Sequence, residues 1–153
     1  MTDDALAPDG GVLTPKVFEF LRRMERLVNE AEAGVSSDHW APLTEMVAVD
    51  DFQRYVPADA FGSGDDMAAW SASSMGWARY LDLFNGWGPV APHYSNRILR
   101  IAEFPGLVYL EIEEHHGERT FESLSVYEFD DGGLIRGIRV ASAAGSLVVP
   151  TDA

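Results

Sequence analysis

Four short segments of the sequence carry side chains that move protons or polarise oxygen. In Ala91-Pro92-His93-Tyr94 a histidine follows a Gly/Pro-rich loop and opens a strand-like stretch. A neutral imidazole there suits a general base toward a C–H or O–H, since its ordinary pKa lies near working pH. Tyr55, in Gln53-Arg54-Tyr55, offers a phenol able to hold or polarise a carbonyl or hydroxyl oxygen in a dry pocket. His116, in Glu113-Glu114-His115-His116, is a candidate second acid/base residue. Asp51, beside Asp50, supplies a carboxylate that can orient a histidine, as in generalised triads.

Each has a plainer alternative. His93 can cap its loop, Tyr55 can pack in a core with its hydroxyl paired, the two histidines can solvate a hairpin end at Gly117, and Asp50-Asp51 can close a turn. Glu114, His116 and His93 also have the composition of a metal-binding facial triad, but such a site is defined by geometry that a sequence does not fix. Neither a metal nor another cofactor is expected. The Arg22-Arg23-Arg26 cluster lies among Glu19, Glu25 and Glu30 and reads as a solvated ion-pair face.

The elements that must position these residues follow from periodicity. Residues 1–13 lack a pattern and read as a loose arm, residues 14–143 as one domain, and residues 144–153 as a tail. Thr14-Pro15 is an N-cap followed by proline at the first helical position, and Val17, Phe18, Leu21, Met24, Val28 and Ala31 recur at helical spacing up to a stop at Gly34. Ser36-Ser37-Asp38 opens a short helix through Trp40, Leu43 and Met46, and Asp50 to Pro57 reads as a short extended segment. Ser63, with Asp65 and Asp66, signals a third helix whose buried stripe is Met67, Trp70, Trp77, Leu81 and Phe84, ending at Asn85-Gly86.

From His93 the period becomes two, and four strand-like stretches are divided by Pro105-Gly106, the Gly117 region and Asp130-Asp131-Gly132-Gly133. This is an α+β layout: three helices and an early strand, then an antiparallel meander with the helices on one face. Parity places Val108, Leu110, Ile112, Glu114 and His116 on one face of the second stretch, and Phe121, Ser123, Ser125, Tyr127 and Phe129 together on the third.

Composition narrows the function. With 25 Asp/Glu against 11 Lys/Arg, the 153-residue chain carries −14 and disfavours nucleic acid and anionic membrane surfaces as partners. Its 46% hydrophobic content is that of a folding domain, not an acidic tail. The absence of cysteine excludes thiolate nucleophiles and Cys-ligated metals. An acidic N-terminus and the lack of a long apolar run make a cytoplasmic soluble protein the default expectation.

These elements resemble the NTF2-like superfamily and, within it, the SnoaL-like group. The resemblance rests on the helix from Thr14, the Gly34 break, Asp50-Asp51-Phe52 entering a strand, and Tyr127-Glu128-Phe129-Asp130-Asp131-Gly132-Gly133-Leu134-Ile135 followed by Arg139-Val140; it covers roughly residues 14–143. It implies a curved antiparallel sheet forming a cone with helices around a mostly apolar pocket, often in a homodimer, here through the outer sheet face bearing Glu122, Leu124 and Val126. Alignment with ketosteroid isomerase places the base on Val56, the oxyanion carboxyl on Ser125 and the tyrosine near Leu27, none of which can do that chemistry. Alignment with scytalone dehydratase is partial: Tyr55, His93 and a position near His116 match pocket residues, whereas a further tyrosine falls near Val35 and is missing.

The resemblance thus implies a cofactor-independent dehydratase, isomerase or cyclase acting on a small aromatic or polyketide-like molecule. Tyr55, His93, His116 and Asp51 would be its catalytic candidates, and Phe61, Trp70, Trp77, Leu110, Ser125 and Tyr127 would line the pocket. The alternative is a binding or oligomerisation module of the same fold, favoured if His93, Tyr55 and His116 point to different surfaces.

Overall fold

The computed structural model describes residues 11–31, 35–55, 74–87 and 93–142. Helix α1 (Thr14–Glu30) buries Val17, Phe20, Leu21, Met24, Leu27 and Val28 along one stripe. Phe18, expected in that stripe, is half-buried beside it, with the Arg22 guanidinium 5.8 Å from its ring. Thr14 is the first helical residue and not a side-chain cap, because the capping is remote. Glu103 accepts the backbone N–H of Leu13 (3.3 Å) and Thr14 (2.7 Å) and the Thr14 hydroxyl (2.6 Å), placing a carboxylate at the positive end of the helix.

A 3₁₀ turn (Ser37–Trp40) runs into the short helix α2 (Ala41–Thr44). The following turn is tied to the sheet by Ile135, whose N–H donates to Met46 (2.9 Å) and whose carbonyl accepts from Ala48 (2.9 Å). Strands β1 (Gln53–Tyr55) and β2 (Ser74–Met75) come next, then α3 (Trp77–Trp87). A helix extending back from Trp77 through residues 74 and 75 is thereby excluded, since these pair with β1. Ser63, Asp65, Asp66, Met67 and Trp70 lie outside the described residues. Asn85-Gly86 does not end the helix either: it forms part of the last turn, where Asn85 Oδ1 accepts the indole N–H of buried Trp40 at 2.7 Å.

Strands β3 (Tyr94–Phe104), β4 (Leu107–His116), β5 (Arg119–Phe129) and β6 (Ile135–Ser142) form the expected meander. The full six-stranded sheet has the order β2-β1-β6-β5-β4-β3. It is mixed, not wholly antiparallel, because β1 runs parallel to β6. That pairing follows from the crossover: the chain between them carries α3 and the whole meander before returning to the edge where β1 waits. A register shift between Ile98 and Arg100 interrupts the β3–β4 ladder, the kind of irregularity that bends a sheet. Gly106, at φ +74°, makes the two-residue β3–β4 connection possible.

Register fixes the face on which each side chain lies. One row crosses all six strands: Met75, Arg54, Ile138, Tyr127, Val108 and Glu103. Met75, Ile138, Tyr127 and Val108 are buried, so this row belongs to the inner face, which packs on the helices together with Leu110, Ile112, Ser123 and Ser125. The adjacent row, Ser74, Tyr55, Arg139, Val126, Tyr109 and Ala102, faces the other way.

Candidate functional site

The inner face carries a polar cluster at the end of the sheet where β3 begins and β4 ends. Asn29 at the end of α1 anchors it: its Oδ1 accepts the Tyr94 N–H (2.8 Å) and its Nδ2 donates to the Tyr94 carbonyl (2.7 Å), while the Asn96 N–H donates to Glu25 Oε2 (2.8 Å). The Tyr94 side chain is thereby driven inward. Its hydroxyl accepts from Asn96 Nδ2 (3.0 Å) and lies 3.5 Å from Glu114 Oε1. His116 packs its ring 4.9 Å from that of Tyr94, and its Nε2 is 3.6 Å from Glu114 Oε1. Its side chain is only 8% exposed, so the imidazole–carboxylate pair is largely removed from water.

A separate group of aromatic rings packs between α3 and Phe52. Tyr80 on α3 stacks on Phe52 (5.8 Å between centroids) and meets Phe84 (4.6 Å), while Trp77 stands edge-on to Phe52 (5.1 Å) and donates its indole N–H to Thr44 Oγ1 (2.9 Å). Burial holds the Tyr94 phenol well above its ordinary pKa, and the neighbouring Glu114 charge pushes it the same way. Burial likewise raises that of Tyr127, with Tyr80 and Glu114 adding and Arg54 partly opposing. Both phenols are therefore neutral donors at working pH, suited to holding an oxygen and not to abstracting a proton.

Of the residues expected to be catalytic, only His116 reaches this cluster. His93 is exposed, in the turn before β3, and adopts φ +59°. Tyr55 lies on the outer sheet face with the Arg139 guanidinium 3.9 Å above its ring. Asp51 is exposed in a turn, its N–H donating to the Ala48 carbonyl at 3.0 Å. Among the expected lining residues, Trp77, Leu110, Ser125 and Tyr127 are buried on the inner side, and Phe61 and Trp70 lie outside the described residues. No group of three or more His, Asp or Glu side chains is placed to hold a metal ion among the described residues.

Tyr94 as a partner of His116 and Tyr80 as a neighbour of Arg54 escaped sequence reasoning, which left the inward parity of Arg54 as the alternative to Tyr55. Arg54 lies in the inner row with its guanidinium 5.3 Å from the Tyr80 ring, and its Nη1 donates to the Tyr55 carbonyl at 2.6 Å. The available signal was Phe52, an apolar residue two positions earlier, which is 1% exposed and marks the inward parity. Arg54 Nε and Ser123 Oγ are buried with no hydrogen-bond partner among the described residues.

The α+β cone with β1 parallel to β6 and helices across its inner face is the NTF2-like fold. Wild-type IdmH, a putative polyketide cyclase from Streptomyces antibioticus, is similar at 14% identity and TM-score 0.62, covering 89% of this chain and 95% of that one. A SnoaL-like protein of unknown function from Burkholderia thailandensis is similar at 9% identity and TM-score 0.62, covering 86% of this chain and 93% of that one. An LEH-like epoxide hydrolase of M. tuberculosis is similar at 17% identity and TM-score 0.59, covering 88% of this chain and 84% of that one. No protein-family model and no curated protein matches the sequence. No helix among the described residues is long and apolar enough to cross a membrane.

Proposed function

We propose that the chain is a SnoaL-like, cofactor-independent acid/base enzyme acting on a small apolar, ring-containing molecule held against the inner sheet face. One observation carries this reading: the His116 imidazole is buried beside Glu114 and Tyr94, on a face that packs against the helices through its aliphatic and aromatic side chains. Glu114 can orient the imidazole, so that His116 takes a proton from the substrate and returns it, while neutral Tyr94 or Tyr127 holds the oxygen that gains charge. Dehydration, isomerisation and cyclisation all fit that sequence of proton transfers. Structural neighbours named as cyclase or epoxide hydrolase support the reaction class.

The test is turnover of a panel of aryl β-hydroxyketones, enones and epoxides, followed by product chromatography. His116→Gln should abolish any conversion with cooperative unfolding intact; full conversion by that variant would remove His116 from the chemistry.

A non-catalytic binding module is the second reading, favoured by the separation of His93, Tyr55 and His116 onto different surfaces. Saturable binding of an aromatic probe without conversion of any panel member would favour it. In either reading we place a homodimer interface on the outer sheet face, where Leu124 and Tyr109 are exposed, and expect no polyanionic partner for a chain of charge −14. A monomer in sedimentation at high concentration would contradict the dimer.

A further inference from the structure

We propose that Arg54 is the anion-binding residue of the inner-face site, and that the molecule held there carries a carboxylate or enolate oxygen on its ring system. This rests on the inner-face site proposed above. Its basis is the inward position of Arg54: of the other arginines whose side chains are described, Arg22, Arg26 and Arg79 are exposed to solvent and five lie on a carboxylate. Arg23, Arg97, Arg100, Arg136 and Arg139 each lie on a carboxylate, and all of these pairs have at least one substantially exposed member. Arg54, which points inward, has no carboxylate within 4.0 Å among the described residues.

The described surroundings of Arg54 leave its charge unanswered. The Tyr80 ring faces it and one N–H goes to the Tyr55 carbonyl, but neither neutralises a cation. Nε remains buried without an acceptor among the described residues. A guanidinium presents its N–H groups as a rigid fork that matches the two oxygens of a carboxylate, or the delocalised oxygen of an enolate. Without a carboxylate partner among the described residues, the inward arginine keeps that fork open for a ligand. Tyr127 lies on the same register row, one strand beyond Ile138, and supplies a neutral hydroxyl within electrostatic reach of the guanidinium. An anionic oxygen bound at this face would meet Arg54 and Tyr127 together.

Titration calorimetry at neutral pH with 2-naphthoate and its neutral isostere 2-naphthamide tests this. The native protein should bind naphthoate at least about tenfold more tightly than the amide, the scale of one charge-assisted hydrogen bond. Arg54→Met and Arg54→Gln, each shown to unfold cooperatively, should bind the two probes equally while keeping the native affinity for the amide. Equal native affinities, or a naphthoate preference that survives in both variants, would overturn the proposal and leave the inner-face site standing. If neither probe binds the native protein, the inner-face site falls and the proposal falls with it.

Discussion

Glu103, near the end of β3, closes the first turn of α1 by accepting both the backbone N–H and the hydroxyl of Thr14, at 2.7 and 2.6 Å. The contact joins residues 89 positions apart and couples the seating of the helix to the completion of the sheet. A helix whose own first residues provide no side-chain cap depends on this acceptor.

Glu103→Ala should therefore destabilise the fold by about 2 kcal/mol, combining a lost cap with a lost charge at the helix dipole. Glu103→Gln keeps the acceptor oxygen and should recover about half. Urea midpoints measure both; native stability in Glu103→Gln would show that the charge contributes nothing, and native stability in Glu103→Ala would remove the cap altogether.

The inner-face phenols make alkaline stability diagnostic. Tyr94 and Tyr127 have pKa values raised by burial, whereas in the unfolded chain they ionise near ~10. Above that pH the unfolded state sheds protons that the folded state keeps, so stability is full below ~10 and declines as pH rises, by about 1.4 kcal/mol per pH unit for each phenol. Urea midpoints between about pH 9 and about pH 11.5 should show this slope. Tyr94→Phe should remove one share of it, and an unchanged slope would place the Tyr94 hydroxyl in contact with solvent.

Long periodic segments were legible in the sequence; short ones were not. The meander could be read because each strand alternates over eight or more residues and the turns carry Gly106, Gly117 and Gly133, each at positive φ. That same alternation placed His116, Ser125 and Tyr127 on the inner face. Tyr55 enters the candidate set through the partial match to scytalone dehydratase; a three-residue strand has too few positions for parity to decide, and a shift by one exchanges Tyr55 for Arg54. The Glu103 cap and the Asn29 clamp on Tyr94 span 89 and 65 positions and leave no local pattern.

The position of Tyr55 yields its own prediction. Its ring lies under Arg139 on the outer face, so Tyr55→Leu removes one cation–π contact and no inner-face group. The expected cost is about 0.5–1 kcal/mol in a thermal or urea melt. Affinities for the naphthyl probes should be unchanged. A loss of binding as large as that of the Arg54 variants would return Tyr55 to the site.

Ser123 provides a test in which stability and binding move in opposite directions. Its hydroxyl is buried on the inner face, opposite Ile112 on the neighbouring strand, and has no hydrogen-bond partner among the described residues. A buried polar group without a partner costs about 1–3 kcal/mol, and a residue kept for packing alone would serve better as alanine. Ser123→Ala is expected to raise the stability of the free protein by about 1 kcal/mol, since the small volume lost offsets part of the relief. If the hydroxyl is there to meet a ligand, the same variant should bind the naphthyl probe that occupies the site more weakly. Gain of stability with unchanged affinity would mean that Ser123 faces no ligand; loss of stability would mean that its hydroxyl is satisfied within the fold.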